Sequence, residues 1–170
     1  VIADVLQRVY HCLGIDAILA TGRQPGSGGS GAEQSACFTA PGHYELLYRG
    51  CKLAGCAQKR VPGAFLQHGS LPVNLDLKKL YTALDTEQRL SPAAGARLLQ
   101  GHVGWINRWR QQPVAVEDVE ELLINQFRSK LFCHMESGIP TDLEMALMKR
   151  LRDERYGEQA WNRKGLTLST

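Results

Sequence analysis

Three of the five cysteines of the chain fall in one stretch, SACFTAPGHYELLYRGCKLAGCAQKR, Ser35 to Arg60. A cysteine can be a nucleophile, a metal ligand or a small apolar residue, and its neighbours decide which. Cys37 follows a Gly/Ser-rich segment, 22–35, and precedes the turn-forming run Phe-Thr-Ala-Pro-Gly. That places it where a strand edge meets a cleft. A thiol becomes a useful nucleophile when a nearby cation favours the thiolate. Lys52 begins the facing strand of a hairpin and can supply that charge. The plainer alternative is a solvated lysine at a hairpin turn. Cys51 and Cys56 with His68 and either Cys37 or His43 could be drawn as a zinc site. Positions five apart on a flat strand point to opposite faces, so no metal is expected. Cys12 and Cys133, each beside a histidine, read as small apolar core residues. His68 and Gly69 are expected on a neighbouring strand, within reach of Lys52. A lone strand histidine is otherwise a structural hydrogen-bonder. No phosphate-loop spacing occurs.

These residues need elements to hold them. Ile2, Val5, Leu6, Val9 and Leu13 repeat at helical spacing, which predicts a helix over 2–13 with Gly14 beyond its end. Residues 16–21 read as a short strand. The Gly/Ser segment reads as a mobile flap beside the site. Residues 43–49, 52–60 and 64–73 read as an antiparallel meander, turning at 50–51 and at Pro62-Gly63. Gly55 and Gly69 inside strands suggest bulges, or places where a ligand approaches the backbone closely. Helices are expected at 77–84, capped by Asp76, at 101–110 with Trp105 and Trp109 on one face, and at 116–131. Residues 132–136 read as an edge strand. Thr141 and Glu144 form a capping-box pattern for a helix reaching Tyr156.

The chain has 170 residues, 44% hydrophobic and 22% charged, which suits one globular domain with its own core. Its net charge of +3 is too weak and too evenly spread to argue for nucleic acid, and a basic face suits an acidic protein partner instead. No apolar run approaches the length of a membrane span. An odd cysteine count without a disulfide framework, and no recognisable leader, suggest a reducing, cytoplasmic setting. The opening VIADVLQRVY starts directly on a helical pattern, as a fragment or processed subunit would.

The stretch ACFTAPGHYELLYRGCKLAGCAQKRVPGAFLQHGSLPVNLDLKKLY resembles the core of the lipoate/biotin protein ligase superfamily, most closely its LipM-type octanoyltransferases. The resemblance is carried by Cys37-Phe38, Pro41, Lys52, Gly55, Gln58, Arg60 and Gln67-His68-Gly69-Ser70, and by the closing ERYGEQAWNRKG. It implies an α+β fold, a mainly antiparallel sheet packed with helices. Residues 1–170 would be the C-terminal part of the ligase-type catalytic domain, with the fold incomplete. It also implies that Cys37 takes an octanoyl group from acyl carrier protein as a thioester. The group then passes to a lysine of a lipoyl domain, on the glycine cleavage H protein or a dehydrogenase E2 subunit. Lys52 would favour the thiolate. Gly55, Ala57, Gln58, His68 and Gly69 would bind substrate. No cofactor is implied, because the acyl donor is already activated. ATP and Mg would enter only under the alternative of a lipoate-protein ligase acting through an adenylate. A third alternative is an inactive half-domain that needs a complementary N-terminal chain. Two thiols depart from the family pattern: Cys56 stands where Ser or Ala is usual, and Cys51 where Arg or Lys is frequent. The family's R-R-x-T-G-G-type loop and its histidine have no counterpart.

Overall fold

The computed structural model describes residues 1–20, 45–84 and 89–164. The chain forms two compact units, Val1–His134 and Met135–Thr170.

In the first unit α1 spans Ile2–Cys12 and buries Val5, Leu6, Val9 and Tyr10, the face its 3.6-residue period aligns. It stops at Leu13, and Gly14 turns the chain at φ +76°, a value that favours glycine. Gln7 then donates to the Ala17 carbonyl at 2.8 Å, tying the helix to the segment that enters the sheet. The sheet is antiparallel, in the order β1 (Ile18–Leu19), β2 (Leu46–Tyr48), β3 (Cys51–Val61), β4 (Ala64–Ser70). Its core pairs Leu46, Leu53 and Ala54 with Val9, Tyr10, Leu13 and Ile15 of the α1 region, and with Val119 of α4 (Val116–Leu131). A smaller cluster joins Tyr81 of α2 (Leu77–Leu84) to Leu99 of α3 (Pro92–Gln100) and to Val103.

Three expectations give way here. No helix covers 101–110. Instead α3 ends at Gln100, Val103 bridges to Lys52 as a strand would, and a single 3-10 turn holds Ile106–Trp109. Trp105 and Trp109 both flank Arg108, whose guanidinium lies 5.2 Å and 4.9 Å from their ring centres. Residues 132–136 form no strand: Phe132 ends α4 at φ +52° and the chain runs on without regular structure to Pro140. Cys12 and Cys133 are exposed rather than core residues: Cys12 lies off the buried face of α1, and Cys133 lies beyond the end of α4. The helix at 116–131 is found as expected. The flap over 22–35 lies outside the described residues.

The second unit contains α5 (Asp142–Leu151), whose Thr141 hydroxyl accepts from the Glu144 N–H while the Glu144 carboxylate accepts from the Thr141 N–H at 2.7 Å. Those bonds from Thr141 hold the Glu144 carboxyl below its ordinary range. A wide π turn, Arg152–Tyr156, carries the chain on to Tyr156, where one continuous helix was expected. In α6 (Gln159–Lys164) Trp161 stacks beneath Arg155, the guanidinium 4.2 Å from the ring centre.

Candidate functional site

The site begins with a tight turn. Arg49 and Gly50 both take positive φ, 49° and 76°, as the two central positions of a hairpin turn matched to strand twist require. The turn is therefore at 49–50, one residue earlier than the spacing predicts, and Cys51 is the first residue of β3. Tyr48 pairs with Cys51 and Leu47 with Lys52, but Leu46 pairs with Ala54, so Leu53 is an extra residue on β3. The bulge lies at Leu53, not at either glycine. Cys51, Lys52, Leu53 and Ala54 are all buried as a result, although alternate residues of a regular strand face opposite ways. Each has its own cover. The Cys51 sulfur faces the Gly101 carbonyl at 3.5 Å and the Arg108 guanidinium at 3.4 Å. Leu53 enters the core, and its carbonyl accepts from the Tyr10 hydroxyl at 2.8 Å.

Lys52 is held from three directions. Its N–H donates to the His102 carbonyl and its carbonyl accepts from the Gly104 N–H, both at 2.8 Å. The side chain, 5% exposed, puts its ammonium 2.6 Å from the Glu45 carboxylate, itself 12% exposed. Glu45 is anchored in turn, because its carbonyl accepts from the Ala20 N–H at 2.8 Å, continuing the β1–β2 ladder. The ammonium lies under Gly55: a Cβ there would stand 3.5 Å from Lys52 Cε, 3.8 Å from Nζ and 3.8 Å from Ser70 Oγ. Gly69 is crowded more severely. A Cβ on it would lie 2.7 Å from the Gly55 carbonyl oxygen and 3.1 Å from the Cys56 sulfur. What approaches Gly69 closely is the backbone of the opposite strand.

Electrostatics sets the neighbouring thiol. Burial pushes the Cys56 thiol above its ordinary value, the Glu45 carboxylate adds to the rise, and the Lys52 ammonium opposes it. Cys56 is exposed as a residue, yet the charges of both members of the buried pair act on it. Tyr10 is raised as well, first by burial and then by Cys56.

The structure brings Lys52, Gly55 and Gly69 together, with Cys56 and Ser70 beside them. Ala57, Gln58 and His68 lie farther out on an exposed two-stranded ribbon, where Ala57 pairs with His68 and Gln58 with Gln67. Gln58 donates to Gln67 Oε1 at 3.0 Å and accepts from Arg60 at 2.6 Å. Cys37 and His43 lie outside the described residues. Glu45 was missed by the sequence reading. Its signal was an acid just ahead of β2, which a two-residue turn folds back toward Lys52. Among the described residues no group of three or more His, Cys, Asp or Glu could hold a metal ion.

Residues 1–128 match the lipoyl protein ligase A/B catalytic domain family. The chain belongs to that family. Its relatives include the octanoyltransferase LipM of Halalkalibacterium halodurans, 30% identical over 95% of this chain and 59% of the relative. The octanoyltransferase LipM of Kyrpidia tusciae is 33% identical over the same shares. The chain therefore spans about three-fifths of the length of these relatives. Among solved structures, it is similar to the bi-partite lipoate protein ligase of Thermoplasma acidophilum, described together with its E2 lipoyl domain. The TM-score is 0.70 at 20% identity, covering 98% of this chain and 57% of that one. The expected α+β ligase-type fold with an antiparallel sheet is the one observed. Among the described residues no helix is long and apolar enough to cross a membrane.

Proposed function

We propose that this family member serves octanoyl transfer in lipoate biosynthesis, with Cys37 as the nucleophile and Lys52 as its activating cation. The observation that carries the reading is the buried Lys52 ammonium, held under Gly55 where the two glycine-bearing strands meet. A charge kept in a dry site acts far more strongly than one in water. The Cys37 thiolate attacks the octanoyl thioester of acyl carrier protein, and the carrier thiolate leaves. The neutral amine of a lipoyl-domain lysine then attacks the Cys37 thioester, an amide forms, and the Cys37 thiolate departs. Both steps start from an activated acyl group, so neither needs ATP. Gly55, Ala57, Gln58, His68 and Gly69 would line the path of the acyl group and its acceptor. The similarity to a bi-partite ligase supports a second reading, in which this chain turns over only with a complementary N-terminal chain.

The test is intact mass after incubation with octanoyl–acyl carrier protein, with and without such a chain. A hydroxylamine-sensitive gain of one octanoyl group, absent in Cys37→Ser, is expected. Transfer to a lipoyl domain at the wild-type rate by Cys37→Ser overturns the reading. Pyrophosphate exchange with ATP and free lipoate would place the chain with the ligases.

A further inference from the structure

We propose that Glu45 is a positioning residue for Lys52, fixing the ammonium beneath the Gly55 backbone and balancing its charge. This rests on the reading of Lys52 as the activating cation and goes beyond it by naming what holds that cation.

A lysine side chain has four rotatable bonds and a compact, strongly hydrated charge. Taking that charge out of water is costly unless a partner replaces the lost hydration. Glu45 supplies such a partner at 2.6 Å, and both side chains are nearly withdrawn from solvent. The carboxylate does not hang on a free chain. Its backbone belongs to the β1–β2 ladder through the Ala20 N–H, while Lys52 belongs to β3 and to the 102–104 segment. The pair thus holds the ammonium across one hairpin whose two arms have further anchors of their own, β1 on one side and the 102–104 segment on the other. The Leu53 bulge lies beside the pair, where the register changes between Leu47↔Lys52 and Leu46↔Ala54. The absence of a side chain at Gly55 leaves the room: its Cβ position lies 3.5 Å from Lys52 Cε.

The pair has a second consequence. With Glu45 ionised, the Lys52–Glu45 unit carries no net charge, so it acts on a reacting group through its orientation. The ammonium must present toward the reacting atoms while the carboxylate sits behind it. Replacing the carboxylate by an amide keeps the shape and removes the charge. The expected result is a misplaced cation rather than a lost substrate pocket.

The test follows the Lys52 ammonium resonance by proton–nitrogen correlation NMR, assigned by its loss in Lys52→Met, in wild type, Glu45→Gln and Glu45→Asp. In Glu45→Gln the resonance should shift or broaden. The kcat for octanoyl transfer should fall about 100-fold, the cost of misplacing a reacting group by about 1 Å, with KM unchanged. Glu45→Asp, still anionic, should recover part of both. An unchanged Lys52 resonance in Glu45→Gln overturns the inference. Should that variant fail to fold, Glu45→Ala carries the same comparison, and an unmoved resonance there overturns it equally. A shifted resonance in Glu45→Gln, together with full activity in Lys52→Met, leaves the positioning role standing. That outcome removes instead the reading of Lys52 as activator.

Discussion

At the scale of single residues, two weak acids bear on the alkaline behaviour of the fold, the buried Tyr10 and the exposed Cys56. Tyr10 and Cys56 are both held above their ordinary values, mainly by burial. A group whose value is raised on folding contributes stability that is complete below its unfolded value and is lost as pH climbs through the folded one. For Tyr10 the unfolded phenol titrates near 10.0, so the loss falls in the strongly alkaline range. Replacing Tyr10 by Phe also removes the donor to the buried Leu53 carbonyl. We expect Tyr10→Phe to cost about 1–2 kcal/mol in urea unfolding at pH 8, the scale of one buried hydrogen bond lost. The gap to wild type should narrow above pH 10, where the wild-type phenol begins to destabilise the folded state. A gap that widens with pH would contradict the assignment.

Among the elements, glycines mark where strands and helices approach closest. A Cβ at Gly95 would lie 2.1 Å from the Tyr81 ring, so α3 carries a residue of poor helix propensity because α2 rests on it. That glycine hid α3 from the sequence reading, although Ser91 before Pro92 is a sound helix start: the Ser91 hydroxyl accepts from the Ala94 N–H. Gly69 plays the same part between β3 and β4. Gly69→Ala forces its methyl against the Gly55 carbonyl and should cost roughly 1–3 kcal/mol, the usual penalty of overpacking. Gly101 has open space and an ordinary helical φ of −77°, so Gly101→Ala serves as the control and should be neutral or mildly stabilising. Chemical denaturation of the two variants decides the matter. Equal midpoints would show that the β3–β4 contact at Gly69 can relax.

For the whole molecule, the division into Val1–His134 and Met135–Thr170 has a direct consequence. The joint falls in an exposed stretch without helix or strand, beginning at Phe132, which is 95% exposed. Such segments are where proteases act first. Brief chymotrypsin treatment should cut after Phe132 before it cuts within α1 or α4, with mass spectrometry identifying the fragments. Early cleavage inside α4 instead would mean that the helix opens as readily as the joint. The family match ends at 128, close to this joint. The first unit also leaves Val61, Phe65 and Leu66 of the ribbon more than half exposed.

Much of the fold was legible along the chain, because local rules set it. The 3.6-residue repeat placed α1 and α4, the Thr141–Glu144 box placed the start of α5, and the glycine turns placed the meander. Lys52 was singled out from its residue type and its place in a hairpin. What the chain alone could not decide was everything that depends on two distant segments sharing one space. The bulge at Leu53 arises from the register between strands. The strand-like pairing of Val103, in place of a helix, arises because the backbone of Lys52 donates to the His102 carbonyl and accepts from the Gly104 N–H on either side of it. The partnership of Lys52 with Glu45 required the turn and the β2–β3 pairing that fold the acid back beside the lysine. A buried charge acquires its meaning from its counter-charge, and only the tertiary structure brings the two within 2.6 Å.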